Sequence, residues 1–387
     1  MRLLVAGGGT GGHVFPGIAL AEEVVTRHPK NDVVFVGTAR GLEAQVVPAA
    51  GFPIELVEVR GLKGKGLVGM LQNLLLLPRA FLQSVAILKR WRPDMVVGVG
   101  GYASGPVVLA AWAMRIPTAV QEQNAAAGLT NRLLGRVVQA AFTAFPEAAR
   151  HFPRGRVHQL GNPIRRQLLD NFMRPSADHE RARLLVFGGS QGAHALNMRV
   201  VEALPHLADL KDRLAIVHQT GARDREQVER GYQAVGFRPD VRDFITDMSR
   251  AYAEADLVLC RAGATTLAEL TVCKKPSILV PYPAAADNHQ FLNAQSLVDA
   301  GAAVMIEERD LTGELLAAEI RAVLVDGERR QRMARAAGRL GAPAAAREIA
   351  DVCASLVERR WGSRQGQARG ADFKPVRPPD LETRAGR

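Results

Sequence analysis

The chain has 387 residues with 47% apolar and 23% charged side chains, enough for two soluble domains that each bury a core. Its three cysteines, Cys260, Cys273 and Cys353, fall in no Cys-x-x-Cys or Cys/His cluster, which argues against a disulfide framework or a zinc site. Of the formal charge of +11, a net +5 lies between Arg359 and Arg387; elsewhere no stretch interleaves aromatic with basic residues, so no nucleic-acid partner is expected.

The first apolar run, Leu3–Ala6, enters glycines at residue 7 and leaves no room for a signal segment, which points to a reducing, cytoplasmic setting. Further runs at Val33–Val36, Ile54–Val57, Met95–Val99, Thr118–Gln121, Ala140–Phe145 and Val157–Leu160 alternate with helical spacing and predict a parallel sheet. Within this half, residues 61–91 stand apart. Gln72, Asn73, Pro78, Arg79 and Gln83 interrupt the run, so it is no bilayer span. Leu74–Leu77, Phe81 and Leu82, flanked by Lys63, Lys65, Arg79, Lys89 and Arg90, read equally as a surface dipping into an anionic membrane or as a core helix with a basic rim.

A Gly-Asn-Pro turn at 161–163 marks the expected boundary. Strand candidates then resume at Leu184–Phe187, Ala215–Gln219, Leu257–Cys260, Ser277–Val280 and Ala303–Ile306, with helices near 194–204, 265–273 and 289–300. This is a second doubly wound unit. The residues from about 360 to 387, rich in Gly, Pro and Arg, are expected to be a disordered basic tail.

The two halves share a signature. Leu3–His13 (LLVAGGGTGGH) returns 181 residues later as Leu184–His194 (LLVFGGSQGAH), with seven of eleven positions identical. Each copy reads as strand, glycine turn and helix start, an arrangement that aims backbone N–H groups at an anion. A third glycine turn, Gly98–Pro106, follows another strand; side by side, the loops near residues 8 and 101 could hold one diphosphate and the loop at 188–192 a second. Forcing Gly7, Gly9 and Gly12 onto a dinucleotide fingerprint gives a weak match, since no acid ends the second strand. No Gly-Lys-Ser/Thr ending makes it a triphosphate loop either.

Polar clusters sit where α/β folds bind ligands. Glu122-Gln123-Asn124 follows a strand, Arg165 follows the Gly-Asn-Pro turn, Arg261–Glu269 opens a helix, and Asp287-Asn288-His289-Gln290 precedes another. Together with Gly8–His13, Gly100–Tyr102, Gly161–Arg165 and Gly188–Gly192, these seven motifs occur in the order of the MurG family, glycosyltransferase family 28, which the chain resembles over roughly residues 1–355. The resemblance implies a GT-B fold, two Rossmann-like doubly wound parallel-sheet domains facing a cleft. It implies an acceptor and membrane domain over 1–163, a UDP-GlcNAc domain over 164–341, and a helix near 342–358 packing back on the first. The implied reaction moves GlcNAc from UDP-GlcNAc onto the 4-hydroxyl of MurNAc in undecaprenyl-pyrophosphoryl-MurNAc-pentapeptide, with inversion, at the cytoplasmic face of the bacterial inner membrane. Association with other cell-wall synthesis proteins is a family expectation.

By the same resemblance, Glu269 should bond the ribose hydroxyls, Ile245 should present its backbone to uracil and Arg165 should lie over the nucleotide. Asn124, Ala264 and Gln290 should contact GlcNAc; Thr10, Gly11 and Gly12 should border sugar and diphosphate. Ser190 should stabilise the UDP diphosphate, with Thr265, Thr266, Leu267 and Ala268 completing the donor helix. Gly9, Gly100, Gly101 and Tyr102 are assigned to the acceptor diphosphate. His13 and Glu122 are the catalytic candidates, and a neutral imidazole makes His13 the preferred base. Each has a structural rival: His13 as a loop or cap residue, as its counterpart His194 suggests; Glu269 as a helix-terminus acid; Asn124 as a turn residue; Arg165 as an ion pair; Tyr102 as packing. Gln121 stands where His is frequent in the family, and His289 where some relatives have Gln. No Asp-x-Asp pair occurs, so no obligatory metal is expected, with room for a loosely bound activating divalent ion. A UDP-GlcNAc 2-epimerase and a non-enzymatic nucleotide-sugar sensor are the competing functions.

Overall fold

The computed structural model describes residues 1–59, 67–172, 181–189 and 191–362. In the first half the strands are β1 (Arg2–Gly7), β2 (Asp32–Gly37), β3 (Ile54–Leu56), β4 (Met95–Gly100), β5 (Thr118–Glu122), β6 (Ala140–Thr143) and β7 (Val157–Gln159). All pair in parallel, in the order 3-2-1-4-5-6-7. The second half contains β8 (Ala182–Phe187), β9 (Leu214–Gln219), β10 (Asp240–Arg242), β11 (Leu257–Cys260), β12 (Ser277–Leu279) and β13 (Ala303–Met305), also parallel, in the order 10-9-8-11-12-13. This is the two-domain GT-B architecture. β10 has no counterpart in the sequence reading, because three residues with one buried side chain, Val241, show no periodicity.

The central strands are near-continuous apolar runs because helices cover both faces of each sheet. Each sheet separates two apolar clusters, one pair around Leu4 and Leu3, the other around Leu184 and Leu185. Fully burying such a side chain contributes about 1.5–3 kcal/mol relative to leaving it exposed. The strand order reverses between β1 and β4 and again between β8 and β11. Those are the two switch points where crevices open beyond the strands' carboxyl ends.

Two crossovers join the halves. Gly161, at φ 88°, packs so closely that a Cβ there would lie 2.3 Å from that of Ala342 on the return crossover. The last helix, Ala345–Gly362, then places Ile349, Ala350, Cys353 and Val357 in the first-half cluster containing Leu3, Val5 and Val97. Arg27 pairs with Asp351 at 2.6 Å along this contact. The tail expected from about 360 begins later, since residues 360–362 still belong to this helix, and 363–387 lie outside the described residues.

Segment 67–91 forms one helix, Leu67–Trp91. Ala80, Ile87 and Leu88 enter the core with Leu77, Phe81 and Val85 beside them, whereas Leu82 stays 68% exposed. The same helix thus has a core face and an outward apolar residue. Lys63 and Lys65 lie outside the described residues. No described helix is long and apolar enough to cross a membrane.

The second domain buries a polar triad. His218 Nδ1 lies 3.0 Å from Tyr232 Oη and its Nε2 3.1 Å from Asn197 Oδ1. Burial lowers the His218 pKa from 6.5 to about 3. The unfolded chain therefore gains a proton below about pH 6.5 that the folded chain refuses, so stability present above that pH declines as pH falls through the window. Urea midpoints should drop between pH 7 and 4, with a slope of at most about 1.4 kcal/mol per pH unit from this group. His218→Gln should flatten that part of the profile; an unaltered profile would remove His218 as its source.

Candidate active site

The loops after β1 and β4 touch backbone to backbone. Gly8 N–H donates to Gly100 O at 3.1 Å. A Cβ on Gly101, at φ 80°, would stand 2.3 Å from Gly8 O, so this approach requires glycine. Their adjacency at the first switch point is the arrangement expected for a shared anion pocket, but the donors differ from expectation. Gly9 N–H is not available to a phosphate: Glu43, buried beneath the loop, accepts it at 2.6 Å.

The amides left for the cleft belong to the first turn of the helix Gly11–Arg27, with Thr10 as N-cap. Across the cleft the helix Ala264–Val272 begins after Gly263, and Thr265 Oγ1 donates to Gly12 O at 3.5 Å. Two helix N-termini from the two domains therefore meet. Their positive ends and unpaired N–H groups make the gap between them a site for a diphosphate.

His13 lies on the same turn. Its Nδ1 is 3.2 Å from Gly8 O and 3.4 Å from Thr10 Oγ1. A carbonyl oxygen only accepts, which assigns the proton to Nδ1 and leaves the Nε2 lone pair free. Burial lowers the His13 pKa below its ordinary 6.5, with Glu122 opposing, so the ring is neutral near pH 7.

Glu122 is placed differently from a free base. Its Oε1 accepts from Asn124 N (3.1 Å) and Nδ2 (3.4 Å), its Oε2 from Gly128 N (3.0 Å) and Asn131 Nδ2 (2.9 Å). Four donors on a buried carboxylate make it the organiser of the 122–131 loop and a negative neighbour of His13.

On the donor side, Glu269 is buried at the switch point between β8 and β11. Its Oε2 accepts from Tyr252 Oη at 3.0 Å and its Oε1 lies 3.7 Å from Arg165 Nη2. Burial raises its pKa, which Arg165 and Tyr252 counteract. The Arg165 guanidinium sits 5.0 Å over the Phe15 ring, bridging the domains. Thr265, Thr266 and Glu269 share a helix face toward the cleft by their spacing of three and four. Leu267 is a core residue whose N–H donates to Gly263 O, and Ala268, partly buried, packs beside that core four residues on from Ala264.

Ile245 N–H donates to Gln219 Oε1 at 3.0 Å, so this N–H is engaged within the protein. Gln219 also donates to Gly189 O at 2.7 Å, tying the second glycine loop to Ile245. Ser190 lies outside the described residues. Asn124 Oδ1 accepts from Asn293 Nδ2 at 3.1 Å, and Asn293 Oδ1 accepts from Ala125 N at 2.8 Å, a buried link between the domains. Gln290 Oε1 accepts from Tyr282 N at 2.9 Å, after Asp287 and Asn288 adopt φ 53°. Such left-handed residues cluster at ligand sites. Tyr102 is 52% exposed at the cleft's first-domain rim. Glu43, Gln219, Asn131 and Asn293 had no site role in the sequence analysis; the available signal was a polar residue ending an apolar strand, as at Gln219.

The family 28 N-terminal domain model matches residues 3–143 and the C-terminal domain model residues 183–351. The chain belongs to glycosyltransferase family 28. A UDP-N-acetylglucosamine–N-acetylmuramyl-(pentapeptide) pyrophosphoryl-undecaprenol N-acetylglucosamine transferase of Anaeromyxobacter sp. (strain K) is 81% identical to this family 28 chain, over 98% of the chain and 100% of the relative. The enzyme of that name from Myxococcus xanthus is 61% identical over 94% of each. Among solved structures, MurG of Acinetobacter baumannii matches this transferase at 32% identity with a TM-score of 0.76, covering 92% of this chain and 99% of that one. A UDP-N-acetylglucosamine 2-epimerase matches at 15% identity and a TM-score of 0.63, over 96% and 99%, and that likeness concerns the fold alone.

Proposed function

We propose that this transferase moves GlcNAc from UDP-GlcNAc to the MurNAc 4-hydroxyl of undecaprenyl-pyrophosphoryl-MurNAc-pentapeptide, converting lipid I to lipid II for peptidoglycan. The observation that carries the reading is the meeting of two helix N-termini beside the free His13 Nε2, in a chain 81% identical to a transferase named for that reaction. The acceptor hydroxyl loses its proton to His13 Nε2 as its oxygen attacks the anomeric carbon. On the opposite face the bond to the UDP β-phosphate breaks, and its electron pair leaves on the phosphate oxygen. One in-line displacement inverts the α-linked donor to a β-linked product.

Glu269 receives the ribose hydroxyls, Arg165 covers the nucleotide, the Ile245 carbonyl faces uracil, and Asn124, Ala264 and Gln290 hold GlcNAc. Charge on departing UDP is met by the amides opening the helix Ala264–Val272 and by the loop at 188–192, so no obligatory metal is invoked. Thr10, Gly11 and Gly12 border the donor sugar and diphosphate, and Gly100, Gly101 and Tyr102 border the acceptor diphosphate. Leu82, Leu109, Trp112, Leu129 and Leu133 are exposed on three neighbouring first-domain helices, the first of which also carries Lys89 and the ion-paired Arg79 and Arg90. That outward apolar surface suits insertion into an anionic leaflet on the side that supplies the lipid acceptor.

The test is transfer of label from UDP-GlcNAc to a short-chain lipid I analogue in EDTA, alongside full-length lipid I in anionic and in neutral vesicles. Acceptor-dependent transfer should persist in EDTA and run faster on anionic vesicles. Release of UDP without acceptor would replace the transferase by epimerase or hydrolase chemistry.

A further inference from the structure

The buried carboxylate of Glu43 has no place in the donor or acceptor contacts, yet the loop is built around it. It opens the short helix Glu43–Ala49 and is 1% exposed. Oε1 accepts from Thr38 N at 2.8 Å and Thr38 Oγ1 at 2.9 Å; Oε2 accepts from Gly9 N at 2.6 Å. A Cβ on Gly8 or Gly41 would lie 2.2 or 2.0 Å from carboxylate atoms, and one on Gly37 2.4 Å from the Glu43 Cγ. Three glycines thus leave a cradle that only this side chain fills.

The N–H that Glu43 accepts and the C=O that receives His13 Nδ1 are the two ends of one peptide group, Gly8–Gly9. We infer that Glu43 is a positioning residue that acts on His13 through this peptide, holding the Nδ1–H tautomer and raising the basicity of Nε2. The physical reason is amide resonance. A carboxylate on the N–H shifts electron density toward the carbonyl oxygen, which becomes a stronger acceptor for Nδ1–H. The arrangement is a carboxylate–imidazole pair with a peptide inserted between its members. The other charged groups acting on the ring are Glu122, which also favours the protonated form, and His289, which disfavours it; Glu43 adds to the first.

The inference rests on His13 being the base, and its test separates the two. In histidine-labelled full-length protein, nitrogen NMR should show His13 as the Nδ1–H tautomer. Glu43→Gln keeps the shape and removes the charge. It should lower the His13 pKa by about half a unit, raise the Nε2–H tautomer, move the acid limb of kcat/KM to lower pH and reduce kcat about three- to tenfold. UDP-GlcNAc affinity should hold. Glu43→Asp keeps the charge but withdraws it from Gly9, and should give an intermediate displacement; it serves equally if the glutamine variant does not fold. Wild-type tautomer and pKa in a folded variant would overturn the inference, as would lost turnover with both unmoved. A displaced His13 pKa with unchanged kcat would uphold the link and instead remove His13 as base.

Discussion

Replacing His13 with alanine should lower kcat by about 10²- to 10⁴-fold while leaving UDP-GlcNAc affinity nearly unchanged. The expectation follows from where the ring is held. Nδ1 is fixed by Gly8 O, Nε2 is free, and burial keeps the imidazole neutral at working pH. A base so placed acts on the transition state more than on the bound donor, so the loss belongs in kcat. The acid limb of kcat/KM should vanish in the variant, because the group that must be deprotonated is gone. Equal turnover in His13→Ala would return His13 to the status of its counterpart His194, whose Nδ1 pairs with Asp224 at 2.9 Å. A loss appearing only as weaker donor binding would make His13 a loop-shaping residue.

Glu269→Ala should weaken UDP and UDP-GlcNAc alike by about 10²- to 10³-fold, the scale of losing charge-assisted hydrogen bonds in a buried site. The carboxylate is held between Tyr252 and Arg165, and its removal also leaves the Arg165 guanidinium without this partner. Titration calorimetry with UDP and its 2′-deoxy analogue tests the ribose contact directly. Wild type should discriminate between them and the variant should not, since the discriminating acceptor is absent. Undiminished discrimination in the variant would place the ribose elsewhere. Retained affinity would reduce Glu269 to a buried structural acid.

Much of the architecture was legible because it is periodic. Buried parallel strands read as apolar runs, and the repeated strand, glycine turn and helix start exposed the two halves. The three-residue β10 carried no such pattern. Sequence order does not say which way a backbone group points. Gly9 and Ile245 lie in loops, and their N–H groups face Glu43 and Gln219 inside the protein. Leu267, from the same motif as Glu269, turns its side chain into the core. Glu122 sat beside the cleft with its oxygens already bonded.

From its sequence alone this chain determined two parallel α/β domains, the glycine turns, and the family to which its ordered motifs belong. Those properties follow from hydrophobic period and from residues that local backbone geometry demands. Only the tertiary structure decided which groups face the ligand: the convergence of two helix N-termini at Gly12 and Thr265, the Asn293 link to the 124–125 loop, and the buried Glu43 under Gly8 and Gly9. Hydrogen-bond partners across 34 to 253 residues are set by how sheets and helices pack, and no local pattern in the chain records them.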